Sequence, residues 1–150
     1  MRSWIGLALV SSFALASIAC GPKLAPPPSF AEVNGGGYDY RATTPQGVVV
    51  AARSEKNKPQ ANLDFWARAV DVKLRREGYA KGGEAVVTTE RGLNGLELAY
   101  ARDTGGRRYE YVIAVFVKDD RVLLVEAGGD KDDFDPARAD VEKAIRSLKN

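Results

Sequence analysis

The chain has 150 residues, of which 22 are lysine or arginine and 20 are aspartate or glutamate, giving a formal net charge of +2. It has no histidine and one cysteine, which excludes serine–histidine–aspartate and cysteine–histidine nucleophile systems and zinc sites built from histidine and cysteine. Acidic and basic residues are interspersed, without the long basic run typical of nucleic-acid-binding proteins, so we expect no nucleic acid as a partner.

The N-terminal residues predict export and attachment of lipid. An uncharged, mostly apolar run over residues 4–19 follows Arg2. It is shorter than the roughly 20 residues that a membrane-spanning helix needs, and it is typical of a secretory signal. The motif SIAC at residues 17–20 resembles the lipobox of bacterial lipoproteins, which implies cleavage before Cys20 and acylation of its sulfur. Residues 1–19 are therefore predicted to be a lipoprotein signal peptide.

An ordinary signal peptide, in which Cys20 is incidental, is the alternative. A lone cysteine is unusual in a secreted domain because oxidising compartments favour paired cysteines, whereas a lipid-bearing cysteine needs no partner. By the same resemblance, Gly21 implies the outer membrane, because an aspartate at this position would signal retention in the inner membrane. We expect a cell-envelope protein that is anchored through lipid on Cys20 to the periplasmic leaflet of the outer membrane.

Residues 20–35 are predicted to form a tether that carries the lipidated cysteine. Four prolines and a run of three glycines lie between residues 21 and 37. Such a composition favours extended or flexible chain rather than a helix or a central strand. A single domain is then expected over residues 36–150, a common domain size.

The first half of this domain predicts two strands and a helix. Residues 38–53 read as a hairpin whose turn is TPQG, because alternating tyrosines precede the turn and a run of valines follows it. A helix is predicted from Asn62, a good N-cap, to Gly78, which fits the left-handed position after the last turn. Its apolar stripe consists of Leu63, Trp66, Val70 and Leu74, and it is widened by Phe65, Ala69 and Val72.

The second half predicts four strands and a closing helix. The strands read EAVVTTE, LELAYAR, RRYEYVIAVFVK and VLLVEAGG, and short turns connect them. The closing helix is expected to be capped by Asp135 and to bury Val141, Ala144, Ile145 and Leu148. The predicted fold is therefore α+β, with a six-stranded antiparallel sheet and two helices in the order ββ-α-ββββ-α. We expect both helices to cover one face of the sheet.

Residues 109–149 carry a specific resemblance. The stretch YEYVIAVFVKDDRVLLVEAGGDKDDFDPARADVEKAIRSLK contains a long strand, a tight charged turn and a strand that runs into small residues. A short acidic loop and a helix then end the chain. This pattern resembles the PsbP-like α/β/α fold of the photosystem II extrinsic subunit and of DcrB-type envelope lipoproteins. The resemblance implies a binding or accessory role without shared catalytic residues.

Four residues stand out as a candidate surface for a partner or ligand. Phe65 and Trp66 are adjacent on the helix, so one of them points away from the apolar stripe. Arg107 and Arg108 follow a glycine pair and could hold an anion, although such arginines more often keep a hairpin soluble. The acidic run from Asp130 to Asp135 lacks the glycine and the distal glutamate of a calcium loop, so we expect no metal and no cofactor.

No catalytic residues are predicted, and we do not expect an enzyme. The chain is predicted to be a lipid-anchored binding or accessory protein of the bacterial cell envelope, with an envelope protein as its partner. The alternative is a carrier of a small apolar ligand held in a cavity between helix and sheet.

Overall fold

The structure, a computed structural model, describes residues 21–149. The predicted signal peptide and Cys20 lie outside the described residues. The strands are β1 Ala31–Glu32, β2 Tyr40–Thr43, β3 Val49–Lys56, β4 Ala80–Thr88, β5 Asn94–Thr104, β6 Arg107–Lys118 and β7 Arg121–Asp130. The helices are α1 Leu63–Arg76 and α2 Lys131–Arg146.

All described strands belong to one antiparallel sheet in the order β1-β2-β3-β7-β6-β5-β4. The α+β class with two helices is confirmed. The sheet has seven strands rather than the predicted six, because β1 pairs with β2 through Ala31↔Thr43 and Glu32↔Ala42. β1 lies in the segment that was predicted to be a tether.

The two helices cover opposite faces of the sheet, so the expectation that both cover one face is wrong. On β6, Val112, Ala114 and Phe116 pack toward α2, whereas Ile113 and Val115 pack toward α1. The physical reason is that a central strand buried on both faces has a continuous apolar run rather than an alternating one. The predicted common face of Tyr109, Tyr111, Ile113, Val115 and Val117 agrees with the observed register.

Helix α1 begins where the sequence predicts. The side chain of Asn62 accepts a hydrogen bond from the backbone N–H of Phe65 at 3.0 Å. Leu74 is buried, and Leu63, Trp66 and Val70 pack against the same cluster, which confirms the predicted stripe. The expectation that Phe65, Ala69 and Val72 widen the stripe is wrong, because all three are exposed.

Helix α2 begins earlier than predicted. Asp130, not Asp135, is its N-cap, and its carboxylate accepts a hydrogen bond from the N–H of Asp132 at 3.1 Å. Asp132 and Asp133 lie in the first turn, where the positive end of the helix dipole stabilises negative charge. The predicted buried residues Val141, Ala144, Ile145 and Leu148 are all at most 3% exposed.

The N-terminal segment from Lys23 to Val33 is packed onto the domain, so this part of the tether predicted over residues 20–35 is wrong. The backbones of Lys23 and Lys149 exchange two hydrogen bonds of 2.9 Å. Leu24 and Phe30 are buried in the α2-side core, and Ala25 donates its N–H to the hydroxyl of Ser147 at 2.8 Å. Prolines exclude a helix but not an extended packed segment, and the two apolar side chains provide the burial. The domain therefore begins before residue 36.

Candidate functional site

The sheet has two ends, and the predicted surface residues are divided between them. We call proximal the end formed by the β6–β7 turn, loop 57–62, the β4–β5 turn and the Lys23–Lys149 pair. The distal end contains the β5–β6 turn, the β2–β3 turn, the α1–β4 connection and the start of α2. Phe65 and Trp66 lie near the proximal end, whereas Arg107 and Arg108 lie at the distal end. At about 3.3 Å per strand residue, β6 separates the ends by roughly 35 Å, so the four residues do not form one surface.

Trp66 supports the fold locally. Its indole N–H donates to Oδ1 of the buried Asn57 at 2.7 Å. Oδ1 of Asn57 also accepts a hydrogen bond from the N–H of Ala61 at 3.0 Å, and Nδ2 of Asn57 donates to the Ala61 carbonyl oxygen at 3.1 Å. Trp66 thereby fixes the loop that enters α1. Phe65 meets the indole edge-on, with ring centroids 5.3 Å apart, and remains 49% exposed.

Arg107 and Arg108 are both engaged in ion pairs. Arg107 lies 3.6 Å from a carboxylate oxygen of Asp130, and Arg108 lies 3.3 Å from Glu110 and 3.7 Å from Asp103. The shallow groove beside them is also lined by aspartates of the first turn of α2. This groove carries as many acidic as basic side chains, so it offers little attraction for an anion.

The face of the sheet that carries α1 is only half covered. Helix α1 packs mainly on β4, β5 and β6. Val122 and Leu124 of β7 still pack in the α1 cluster, whereas the distal part of β7 and the adjacent residues of β3 lie outside it. The open half is flanked by Tyr38, which is 37% exposed, and by Tyr111.

The open half contains a small groove of about 160 Å³, which we call the tyrosine groove. Its lining consists of Tyr38, Val49, Ala51, Tyr111, Glu126, Ala127 and Gly128. Gly128 lies directly opposite Tyr111 in the β6–β7 register. A Cβ at Gly128 would lie 3.3 Å from the Tyr111 ring and 3.1 Å from the Glu110 carbonyl oxygen. The glycine therefore lets the ring lean across β7 and form one wall.

A single carboxylate organises the polar side of the groove. Glu126 receives a guanidinium N–H of Arg53 at 3.2 Å, and its side chain is 12% exposed. Burial, followed by the charge of Glu126 and hydrogen bonding to it, raises the pKa of Tyr38 and of Tyr111. Burial alone would lower the pKa of Arg53, but the charge of Glu126 and further contributions from Glu55 raise it. Near neutral pH both phenols therefore keep their protons, and they lie beside the Arg53–Glu126 ion pair.

These groups suit recognition better than catalysis. A tyrosine whose pKa is raised stays protonated near neutral pH and cannot act as a general base there. Glu126 is held by Arg53 rather than left unpaired as an acid or nucleophile. Tyrosine and arginine beside small apolar residues are instead typical of protein-binding surfaces.

Other chemistry finds little support in the described part of the chain. Within residues 21–149, no group of three or more His, Cys, Asp or Glu side chains is placed to hold a metal ion. Among the same residues, no helix combines the length and the apolar character needed to cross a membrane. The space between α1 and the sheet is filled by Ala67, Leu74, Leu98, Tyr100 and their neighbours.

Comparison with known proteins gives the fold. No protein-family model matches the sequence, and no curated protein matches it. Among solved structures, LpqN, which is involved in cell envelope biogenesis of Mycobacterium tuberculosis, is similar with a TM-score of 0.67 and 12% identity, covering 86% of this chain and 83% of LpqN. The cyanobacterial PsbP of Synechocystis has a TM-score of 0.55 and 10% identity, covering 93% and 98%. The chain has a PsbP-like fold. A Pseudomonas aeruginosa protein of unknown function has the same fold, with a TM-score of 0.53 and 13% identity over 86% and 82% of the chains.

The sequence interpretation missed the tyrosine groove. Tyr38 and Arg53 share the β2–β3 hairpin, but Glu126 and Tyr111 join them only through the order β3-β7-β6. One local signal was present: Gly128 and Gly129 end an otherwise apolar strand. Glycine inside a strand often marks a site where another group approaches closely.

Proposed function

We propose that this protein is a lipid-anchored accessory protein of the bacterial cell envelope that binds a partner protein through the tyrosine groove. The observation that carries the proposal is the half-covered sheet face, in which Glu126 is held beside Arg53 and two tyrosines. The likeness to LpqN supports an envelope role, and the lipobox-like motif that ends at Cys20 supports the anchor.

The groove suggests the chemistry of the partner. Its floor of Val49, Ala51 and Gly128 accepts one apolar side chain, and the tyrosine rings can pack on both sides of it. The Glu126 carboxylate can accept a hydrogen bond from a donor on the same partner segment. An exposed loop or an extended segment, carrying an apolar residue next to a donor, fits this arrangement.

The proposal of an apolar-ligand carrier has less support. A carrier needs a cavity that buries most of its ligand, whereas side chains fill the interface between α1 and the sheet. The tyrosine groove is open along the sheet face, and 160 Å³ is too little volume to enclose a drug-sized ligand. We therefore favour a protein partner.

Site-specific photo-crosslinking tests the groove. A photoreactive phenylalanine analogue would replace Tyr38 in the groove, or Tyr109, which is similarly exposed but does not line it. We expect a discrete crosslinked product from position 38 and not from position 109. The partner that crosslinking identifies would then be purified. Its binding to the Tyr38→Ala and Tyr109→Ala variants would be measured by calorimetry.

The two substitutions are a matched pair. Because a central aromatic contact contributes about 2 kcal/mol or more, Tyr38→Ala should weaken binding by roughly 30-fold. Tyr109→Ala should leave the affinity within about twofold. Equal losses in the two variants would refute the groove as the binding site.

Metabolic labelling tests the anchor separately. A fatty-acid probe should label the wild-type protein, and Cys20→Ser should abolish the label and release the protein or leave it unprocessed. An unlabelled wild type with a mature N-terminus elsewhere would contradict the lipoprotein assignment.

A further inference from the structure

The distance between the anchor and the folded domain is very short. Cys20 is bonded to Gly21, and Lys23 is already held to Lys149 by two backbone hydrogen bonds. Three residues of extended chain reach at most about 10 Å. Gly21 itself is closely packed, because an added Cβ would lie within 2.9 Å of three Asp39 side-chain atoms. A lipid on Cys20 would therefore bring the proximal end to the membrane surface rather than leave the domain at a distance.

The proximal end is net positive and the distal end is net negative, which favours an orientation with the proximal end at the membrane. The proximal segments, residues 21–23, 56–64, 89–93, 118–121 and 149, contain seven basic and four acidic residues, a net charge of +3. The distal segments, residues 75–79, 102–110 and 130–135, contain six basic and seven acidic residues, a net charge of −1. An anionic surface attracts the first end and repels the second, within a Debye length of about 10 Å.

The basic residues of the proximal end are also free to contact phosphate. Within residues 21–149, none of its seven basic side chains forms an ion pair with a carboxylate. These residues are Lys23, Lys56, Lys58, Arg91, Lys118, Arg121 and Lys149, and all are exposed. At the distal end, by contrast, Arg107, Arg108 and Lys131 are each paired with a carboxylate, and Arg102 lies over the Tyr79 ring. Contact with phosphate would thus break no ion pair at the proximal end.

An exposed aromatic residue accompanies these charges. Phe65, in the first turn of α1, lies near loop 57–62 with 49% of its surface exposed. Lysines around an exposed phenylalanine are the composition with which peripheral proteins contact a lipid interface.

We propose that the proximal end docks onto the anionic phospholipid headgroups of the membrane that holds the Cys20 lipid. This rests on the proposed lipid anchor. Docking orients the strands away from the membrane surface, with the distal end furthest from it. The tyrosine groove then lies on a side face of the domain, in its distal half. The groove then opens to a partner that lies beside the protein or above it, not to the bilayer.

Two glutamines provide a matched pair of probe positions. Gln60 lies in the proximal loop and Gln46 in the distal β2–β3 turn, and both are exposed. They lie beyond opposite ends of β3, so they are at least about 23 Å apart. The sulfur of Cys20 is blocked in the acylated protein, so Gln60→Cys or Gln46→Cys supplies the only free thiol for a fluorescent donor.

The experiment uses the mature acylated protein, with its lipid verified by mass spectrometry. Energy transfer to a headgroup-labelled lipid is measured in vesicles of phosphatidylethanolamine with phosphatidylglycerol, and in vesicles of phosphatidylcholine alone. We expect higher transfer from position 60 than from position 46 in the anionic vesicles, and a smaller difference in the neutral ones. High salt should reduce the difference because it screens the attraction.

Charge variants decide whether the basic residues cause docking. Each basic residue near an anionic surface favours the bound state by about fivefold. Lys58→Gln with Lys118→Gln should therefore lower the equilibrium constant for docking by up to about 25-fold. The control is Lys73→Gln with Arg76→Gln in the last turn of α1, which removes the same charge elsewhere and should leave the transfer unchanged. Equal transfer from the two probes, or equal effects of the two variants, would refute the docking while leaving the anchor intact. An unacylated Cys20 would refute both.

Discussion

Replacing Phe30 by alanine tests most directly whether the N-terminal segment belongs to the core. Phe30 is 8% exposed and lies in the same cluster as Phe134, Val141 and Ile145 of α2. Buried phenylalanine-to-alanine changes cost about 3–5 kcal/mol, from lost apolar burial and from the cavity left behind. A domain of this size has about 5–15 kcal/mol of stability in total. Phe30→Ala should therefore lower the melting temperature by roughly 12–20 °C, at about 4 °C per kcal/mol.

Urea unfolding of the protein from Gly21 onward measures this loss. We expect the midpoint to fall while the slope m stays unchanged, because the surface exposed on unfolding is nearly the same. The control is Ser29→Ala, one residue away, which removes only an exposed hydrogen bond to Asp140 and should cost less than about 1 kcal/mol. A protein that begins at residue 36 should be markedly less stable, because it lacks both Phe30 and Leu24. If Phe30→Ala costs no more than Ser29→Ala, the segment is not part of the core.

Three further predictions concern α1 and the sheet. Tyr100→Phe should destabilise the protein by about 1.5–3 kcal/mol in urea unfolding, because the buried hydroxyl donates to the Asp71 carboxylate at 2.8 Å; no loss would show that this bond is unimportant. Burial would raise the pKa of Asp71, but hydrogen bonds from Tyr100 and Arg75 lower this pKa below its usual value. The stability that the Asp71 carboxylate contributes is therefore present above pH 4 and is lost as the pH falls below 4. Thermal scans between pH 6 and pH 3 should therefore show a smaller decline for Asp71→Asn, and an unchanged decline would contradict this. Gly95→Ala should cost about 1–3 kcal/mol or more, because its Cβ would overlap the Phe116 ring and lie 2.6 Å from the Val115 carbonyl oxygen. A wild-type melting temperature would refute that overlap.

Local patterns in the sequence predicted most elements. The apolar stripe of α1, the Asn62 cap and the long strand from Arg107 to Lys118 were all accessible from spacing and residue type. The face on which each helix packs was not. Valines and leucines lie on both faces of β6 and β7, so the periodicity of these strands does not indicate which face each helix covers.

The N-terminal segment was misread for a compositional reason. Prolines and glycines outnumber apolar residues there, and they hid the two side chains, Leu24 and Phe30, that enter the core. Burial of these residues depends on α2, which lies more than 100 residues further along the chain. The tyrosine groove escaped prediction for a similar reason, because the predicted β2–β3 hairpin meets the Tyr111 and Glu126 segments only through the strand order.

The pairing of Lys23 with Lys149 imposes an order on biogenesis. The two ends of the described domain are neighbours through this pair, so the core around Leu24 and Phe30 cannot close until α2 is available. A chain that crosses the inner membrane from its N-terminus would have emptied the translocation channel before this closure. In the proposed lipoprotein, Gly21 and Pro22 would stay unfolded until then, so that a modifying enzyme and a signal peptidase can reach the adjacent Cys20. In the proposed lipoprotein, closure would leave the acylated terminus beside Lys149, and a bulky fusion placed after Lys149 would stand between the domain and the membrane.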